Sequence, residues 1–597
     1  MATDPWGIDD GWTDTQGRWQ RASPGTVDAI RAAIGDPSPG RPVWVVRPGD
    51  AHDLLGPCHL TLEDGDDLGE LGRLPPDLPL GLHELAPLDG GPVTTLLVGP
   101  GRAHRRADQR GWGLAVQVPT ARSSRSWGIG DLDDVRALAQ WVGGLGGDFL
   151  ALSPLHAPTP VPPLPTSPYS PSSRRWRSPL LIRIDAVVGA HTAEVAALGD
   201  RARALLHAPL VDRDACWALQ HEALVTMWAA LPASERDGLE RWRADQGAEL
   251  EGWARFCALA EQHGASWRSW PAALRHPHDP AVARAAEALA DRVAFHAWLQ
   301  LLIEQQLAAA RGAGVRLIED LAIGVDPNGA DAWLWQDLLA DGFSIGAPPD
   351  DFVPDGQRWG LPPWVPWRLR DRGYRPLAAL LRASLRGGGG VRIDHVMGLT
   401  RLFWVPEGGS PADGAYVRFA GHELLELVAL ESARAEALVV GEDLGTVEPE
   451  LRQALAVAGI LSTRLVWFEP DPPERWPAQA LAMVTTHDLP TLAGMRTGTD
   501  RPLAMWERLG ALVDHLATRS LAEVTDEVHA RLGRSPCALA AATLEDVLGV
   551  AERPNLPGTR ADERPNWSIA LPRAIDLLPD DPDATRVLAA LAAGRTD

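Results

Sequence analysis

The stretch Val391-Arg392-Ile393-Asp394-His395 decides the architecture of this chain. In an extended segment Val391 and Ile393 share one face, and Arg392 and Asp394 share the other. A short run of β-prone residues predicts a buried strand, and the acid at its end stands where that strand leaves the core. The pattern comes twice more, in Val439-Val440-Gly441-Glu442-Asp443-Leu444-Gly445 and in Met483-Val484-Thr485-Thr486-His487-Asp488-Leu489-Pro490. A carboxylate placed there has left the packed layers but stays partly desolvated, which suits an acid, a base or a nucleophile. Three such placements, one beside an arginine and one beside a histidine, form a constellation.

Working outward, apolar runs recur at Leu114–Val118, Phe149–Leu152, Val315–Ile318, Val391–Asp394, Leu438–Gly441, Thr463–Phe468, Leu481–Thr486 and Ala538–Ala542. Most are separated by helical patterns. Asp131–Val142 is one, and Ala294–Ala310 is another, with Phe295, Trp298, Leu299 and Leu302 at i, i+3, i+4 and i+7. A third starts at Thr446, with Glu448 and Pro449 as start signals. Strands alternating with helices predict an α/β fold, a (β/α)8 TIM barrel. The spacing is uneven, so the barrel carries large, mainly helical insertions: one over about 187–290, and an active-site loop over about 343–368, rich in Pro, Gly and Trp. Residues 1–105 read differently. After a helical pattern at Thr26–Ile34, short β-like runs at Val43–Val46, His59–Leu62, Leu80–Leu85 and Thr94–Val98 predict a small N-terminal, β-sandwich-like region. The catalytic barrel is then 106–597, and it is expected to fold without the first 105 residues.

Composition excludes several classes. A net charge of −23 argues against nucleic acid or an anionic membrane as partner. Four distant cysteines, with no C-x-x-C pair, argue against a disulfide framework or structural zinc and fit a cytoplasmic protein. The first residues do not resemble a signal peptide. All 56 basic residues are Arg. Without lysine there is no Schiff-base, P-loop or kinase-strand lysine, so pyridoxal phosphate and nucleotide chemistry of those kinds drop out.

Retaining glycoside chemistry needs two carboxyl groups about 5 Å apart, one a nucleophile and one an acid/base. Neighbouring strand ends are separated by about that distance, so Asp394 and Glu442 meet the requirement. Arg392 keeps Asp394 ionised, whereas Glu442 needs a raised pKa, which desolvation and neighbouring carboxylates supply. Asp488 is the third carboxylate and stabilises positive charge in the transition state. Each residue also has a bland reading: Glu-Asp after a strand often caps a helix, His487 fits a packed core imidazole, and most of the 25 Trp residues pack the core. Asp394, His395, Glu442, His487 and Asp488 include possible metal ligands, but no H-E-x-x-H or H-x-H spacing supports a metal.

From about Gly111 to Pro572 the sequence resembles the 4-α-glucanotransferases known as amylomaltase or disproportionating enzyme, glycoside hydrolase family 77 of the α-amylase clan. The resemblance is carried by Ser126-Trp127-Gly128-Ile129-Gly130-Asp131-Leu132, Ser153-Pro154-Leu155-His156, Ser167-Pro168-Tyr169-Ser170-Pro171-Ser172-Ser173-Arg174-Arg175 and Asp320-Leu321-Ala322-Ile323-Gly324-Val325-Asp326-Pro327. It continues through Gly346-Ala347-Pro348-Pro349-Asp350, Gly356-Gln357-Arg358-Trp359-Gly360, the three acidic segments, Asn555-Leu556-Pro557-Gly558-Thr559 and Pro565-Asn566-Trp567. It implies Asp394 as nucleophile, Glu442 as acid/base and Asp488 as transition-state stabiliser. It further implies Tyr169 as a stacking partner for the sugar, Arg392 and His487 as hydrogen-bond donors, Asp320 as a polar contact and Trp359 as a platform on the long loop. The implied reaction transfers α-1,4-glucan segments to an acceptor 4-hydroxyl, on malto-oligosaccharides and α-1,4-glucans, with no cofactor or metal. A hydrolase of the same clan and a glucan-binding protein are the alternatives. Two departures stand out: Met495-Arg496 replaces an aromatic pair usual in relatives, and Ser568-Ile569-Ala570 replaces a basic stretch.

Overall fold

The computed structural model describes all residues except 1–2, 15–16, 37–40, 107–108, 351–352, 446, 561 and 596–597. The chain forms two compact units. One comprises 1–106, 323–327 and 335–462; the other comprises 107–322, 328–334 and 463–597. The first unit thus joins the N-terminal residues to a long later segment.

Eight parallel strands carry the repeat: β1 (Gly111–Val116), β2 (Phe149–Leu152), β3 (Arg316–Leu321), β4 (Gly390–Ile393), β5 (Leu438–Gly441), β6 (Ser462–Leu465), β7 (Ala480–Met483) and β8 (Leu539–Thr543). In the second unit they run in the order β3-β2-β1-β8-β7-β6. In the first unit β4 and β5 pair in parallel, from Gly390↔Leu438 to Ile393↔Gly441. Phe149–Leu152 and Leu438–Gly441 coincide with the expected runs, because each is continuously apolar and buried from both sides.

The helices follow from local chemistry. Helix α1 (Leu132–Gly144) starts at Asp131, whose side chain accepts from the amides of Asp133 and Asp134, and Asp134 closes a capping box. Arg183 binds both carboxylates at 2.6 Å, so the Ser126–Leu132 segment is a buried structural hub. The insertion is helical as expected, and includes helix α2 (Arg213–Ala229). Helix α3 (Ala290–Arg311) buries the stripe of Phe295, Trp298, Leu299 and Leu302. Helix α4 spans Pro449–Val457, with Glu448 as its N-cap; the expected start at Thr446 lies outside the described residues.

The segment 343–368 is not a loop throughout. Strands Phe343–Ala347 and Gln357–Leu361 pair antiparallel, and Phe343–Ala347 also pairs with Arg401–Pro406. Its prolines and glycines concealed a strand pair, one member of which also has a partner far along the chain. In the N-terminal region, strands at Val43–Val46, Asp53–Thr61, Asp67–Arg73, Gly81–Pro87 and Thr94–Val98 form one five-stranded sheet. Asp67–Arg73 was not anticipated. It is an edge strand with two glycines and a polar surface, held by ladder bonds to Asp53–Thr61. Helix Gly421–Ala435 packs on the strands Val43–Val46 and Thr94–Val98.

Candidate active site

In the first unit, the register of β4 on β5 continues past their ends: Ile393 faces Gly441, and the next residues are Asp394 and Glu442. The amide of Glu442 donates to the Ile393 carbonyl at 3.0 Å, which holds the two ends together. Alternation does what it should. Val391 and Ile393 are buried, whereas Arg392 Nη1 reaches Asp394 Oδ1 at 3.1 Å in a partly shielded pair. Full cationic charge on Arg392 favours the ionised form of its partner.

Glu442 is treated oppositely. Its Oε2 accepts from the His395 amide at 2.9 Å and its Oε1 from the Leu444 amide at 3.0 Å. Burial raises its pKa most strongly, Arg392 opposes that rise, Asp394 adds to it, and the result is about 7. Glu442 as a residue is half-buried. His395 bends back in a left-handed conformation (φ 46°), a costly geometry for a non-glycine residue that marks functional turns. Its half-buried ring meets Trp359 edge-on at 5.1 Å, and desolvation lowers its pKa to about 4, so it is neutral. Trp359 is half-buried on strand Gln357–Leu361, its Nε1 donating to Gln357 Oε1 at 3.1 Å.

The pKa of Glu442 carries a stability consequence. Between pH 4.5 and 7 the folded state holds a proton that the unfolded state has released, so stability falls as pH rises through this window. Relative to Glu442→Gln, which cannot titrate, the native protein is expected to lose on the order of 2 kcal/mol between pH 4.5 and 8. Denaturant melts of both proteins across that range measure it; parallel pH profiles would place the Glu442 pKa near 4.5.

In the second unit, Tyr169, Asp320, His487 and Asp488 come together. Tyr169 Oη donates to Asp320 Oδ2 at 2.6 Å, and lies 3.4 Å from His487 Nδ1. Asp320 is buried at the end of β3. Tyr169 and His487 pack ring to ring at 4.9 Å, and both meet Trp567, at 5.4 and 4.9 Å. His487 Nε2 is 3.5 Å from Asp488 Oδ2. Asn555 Nδ2 donates to Asp488 Oδ1 at 2.6 Å, and Arg553 Nη1 to the Asp488 carbonyl at 2.5 Å. Asp488 is therefore fixed in direction. Asn555, Arg553 and Trp567 had no role in the sequence reading; Asn555 and Trp567 lay in quoted motifs, and that was the available signal. Among the described residues, no group of three His, Cys, Asp or Glu side chains is arranged to hold a metal ion. No helix among them is long and apolar enough to cross a membrane.

Eight parallel strands, most of them followed by helices, with acids one residue past two adjacent strands, are the layout of a (β/α)8 barrel enzyme. Residues 116–575 match the glycoside hydrolase 77 family, 4-alpha-glucanotransferase. The 4-alpha-glucanotransferase of Mycobacterium tuberculosis is 41% identical over 574 residues, covering 85% of this chain and 78% of that protein. That of Haemophilus influenzae is 33% identical over 476 residues, covering 73% and 68%. The crystal structure of amylomaltase from Corynebacterium glutamicum superimposes with a TM-score of 0.84 at 31% identity, over 98% of both chains. Amylomaltase from Streptococcus agalactiae in complex with acarbose shares the fold, with a TM-score of 0.70 at 18% identity, over 81% of this chain and 99% of that one. The chain belongs to the 4-α-glucanotransferase family, glycoside hydrolase family 77. It is an enzyme that transfers α-glucans, on a (β/α)8 barrel with large helical insertions.

Proposed function

We propose that this enzyme moves α-1,4-glucan segments from a malto-oligosaccharide donor to the 4-hydroxyl of an acceptor glucan or glucose, by double displacement with retention. Asp394 attacks the anomeric carbon, and Glu442 protonates the departing glycosidic oxygen. The resulting glycosyl ester on Asp394 is then attacked by the acceptor hydroxyl, whose proton passes to Glu442. Asp488 stabilises the oxocarbenium-like charge in both steps. Arg392 and His487 donate hydrogen bonds to the sugar, Tyr169 stacks on it, Asp320 orients Tyr169 and accepts from a hydroxyl, and Trp359 offers a platform. The observation that carries this reading is the in-register pair of strand ends, one acid beside Arg392 and the other raised to about 7.

A pKa near 7 supports both duties of Glu442, since an acid in one half-reaction is the base in the next. No step calls for a metal or an organic cofactor. Four free cysteines, all buried, support a reducing, cytoplasmic location. Incubation with maltotriose should yield glucose together with both shorter and longer oligosaccharides in a ladder. Shorter sugars alone would mean hydrolysis, and unchanged maltotriose would remove this reading.

A further inference from the structure

The helical insertion reaches the segment that carries Trp567 through the side chain of Arg213 and through backbone bonds. Arg213 opens helix α2 and is buried. Its Nη2 donates to the Trp567 carbonyl at 2.6 Å, and its Nη1 to Ser568 Oγ at 3.0 Å. The backbone on either side is stitched as well. The Val211 amide donates to the Ser568 carbonyl at 2.7 Å and the Ala570 amide to the Pro209 carbonyl at 2.9 Å, around an antiparallel bridge of Leu210 with Ile569.

What this clamp holds is unusual. Trp567 is left-handed, at φ 63°, a conformation a bulky side chain keeps only where its surroundings impose it. Its amide donates to the Pro554 carbonyl at 2.8 Å, and its carbonyl is taken by Arg213, so both peptide groups are tied. From that position the indole packs on Tyr169 and His487 together. Tyr169 in turn bonds Asp320, and His487 stands beside Asp488. Arg213 and Trp567 also line one pocket, with Gln117, Ser153, Pro168 and Glu545.

We propose that Arg213 is a positioning residue for sugar binding: it locks Trp567 in its left-handed turn, and Trp567 props the Tyr169 and His487 rings against the substrate. The helical insertion is thereby part of the specificity apparatus. A charge-assisted bond to a backbone carbonyl is among the stronger polar contacts in a protein, and here it opposes backbone relaxation. Without it, Trp567 returns toward ordinary backbone geometry and the two rings lose their support. The inference rests on Tyr169 and His487 contacting the sugar.

The test is steady-state kinetics on maltotriose for Arg213→Met, Arg213→Lys and Ser568→Ala, with active enzyme counted by glycosyl-enzyme trapping. Arg213→Met should raise KM about tenfold, Arg213→Lys less, and Ser568→Ala about two- to threefold. Arg213→Ala should raise KM as well, and guanidinium ion at millimolar concentration should lower that KM back toward the native value. A purely structural role would lower the active fraction and leave KM of the remainder unmoved; that result overturns the proposal. If Arg213→Met fails to fold, Arg213→Lys and Ser568→Ala carry the same test. Tyr169→Phe and His487→Asn distinguish the two levels. If they leave both KM and kcat unchanged, the sugar-contact assignment is wrong. If they impair the enzyme while the Arg213 and Ser568 variants keep native KM, only the positioning role is wrong.

Discussion

Asp394→Asn is expected to lower transfer from maltotriose by about 10⁴-fold or more, because a neutral amide cannot form the glycosyl ester. Glu442→Gln should fall by roughly 10²- to 10⁴-fold on the same donor, because the leaving oxygen then departs unprotonated. The two variants separate on an α-glucosyl fluoride, whose leaving group needs no acid. Glu442→Gln should take up the glycosyl group on Asp394 and hold it, since the second step lacks its base. Asp394→Asn should take up none. Intact-protein mass spectrometry reads the added hexose directly, and peptide mapping locates it. An adduct on Asp394→Asn, or one on another residue, would reverse the assignment. The basis is the contrast between the two carboxylates: Asp394 lies 3.1 Å from a guanidinium, whereas burial and Asp394 together hold Glu442 near neutrality.

Removal of residues 1–105 is expected to abolish folding of the first unit, against the separability that the change of sequence pattern suggested. Asp9 is buried between Arg418 at 2.6 Å and Arg401 at 3.5 Å. Buried Glu426 is bound by Arg47 at 2.5 Å and by the Gly101 amide at 2.8 Å. Glu63 joins Arg382 and Arg434, and its pKa is lowered to about 2, with those ion pairs outweighing burial. Ile8, Ala22, Ile30 and Ile34 fill one core with Ile345, Leu361, Trp404 and Val417. Arg401 and Arg418 keep Glu448, and Arg382 and Arg434 keep Glu431, but Glu426 stripped of Arg47 costs about 3–5 kcal/mol. Loss of the four core side chains adds to that, against the roughly 5–15 kcal/mol a domain has in hand. The protein comprising 106–597 should therefore aggregate or lack a cooperative melt. A soluble truncated protein that melts within a few degrees of the full chain would show the N-terminal region to be detachable.

Strands were legible in the sequence where order is local. Val391 to Asp394 alternates strictly, so the face carrying Arg392 and Asp394 followed from period two alone. Phe149–Leu152 and Leu438–Gly441 are continuous apolar runs between turn signals, and their bounds were legible to the residue. The strand Asp67–Arg73 was not, since its glycines and charges resemble a turn until a neighbouring strand supplies its hydrogen bonds. The same applies to Phe343–Ala347, which owes its place to Arg401–Pro406.

By itself, then, the sequence determined the strand–helix alternation, the acids Asp394 and Glu442 one residue past their strands and the absence of lysine, because each is written in local order or composition. Asp488, by contrast, stands five residues beyond the end of β7 at Met483. Tertiary structure alone decided the rest. It chose Asn555 as the partner of Asp488, drew 1–106 into one unit with 335–462, and brought Arg213 to Ser568 across 355 residues. The physical reason is one of range. Periodicity and capping act over a few residues, whereas a buried guanidinium is satisfied by whichever carbonyl the folded backbone presents, and no local pattern records which carbonyl that is.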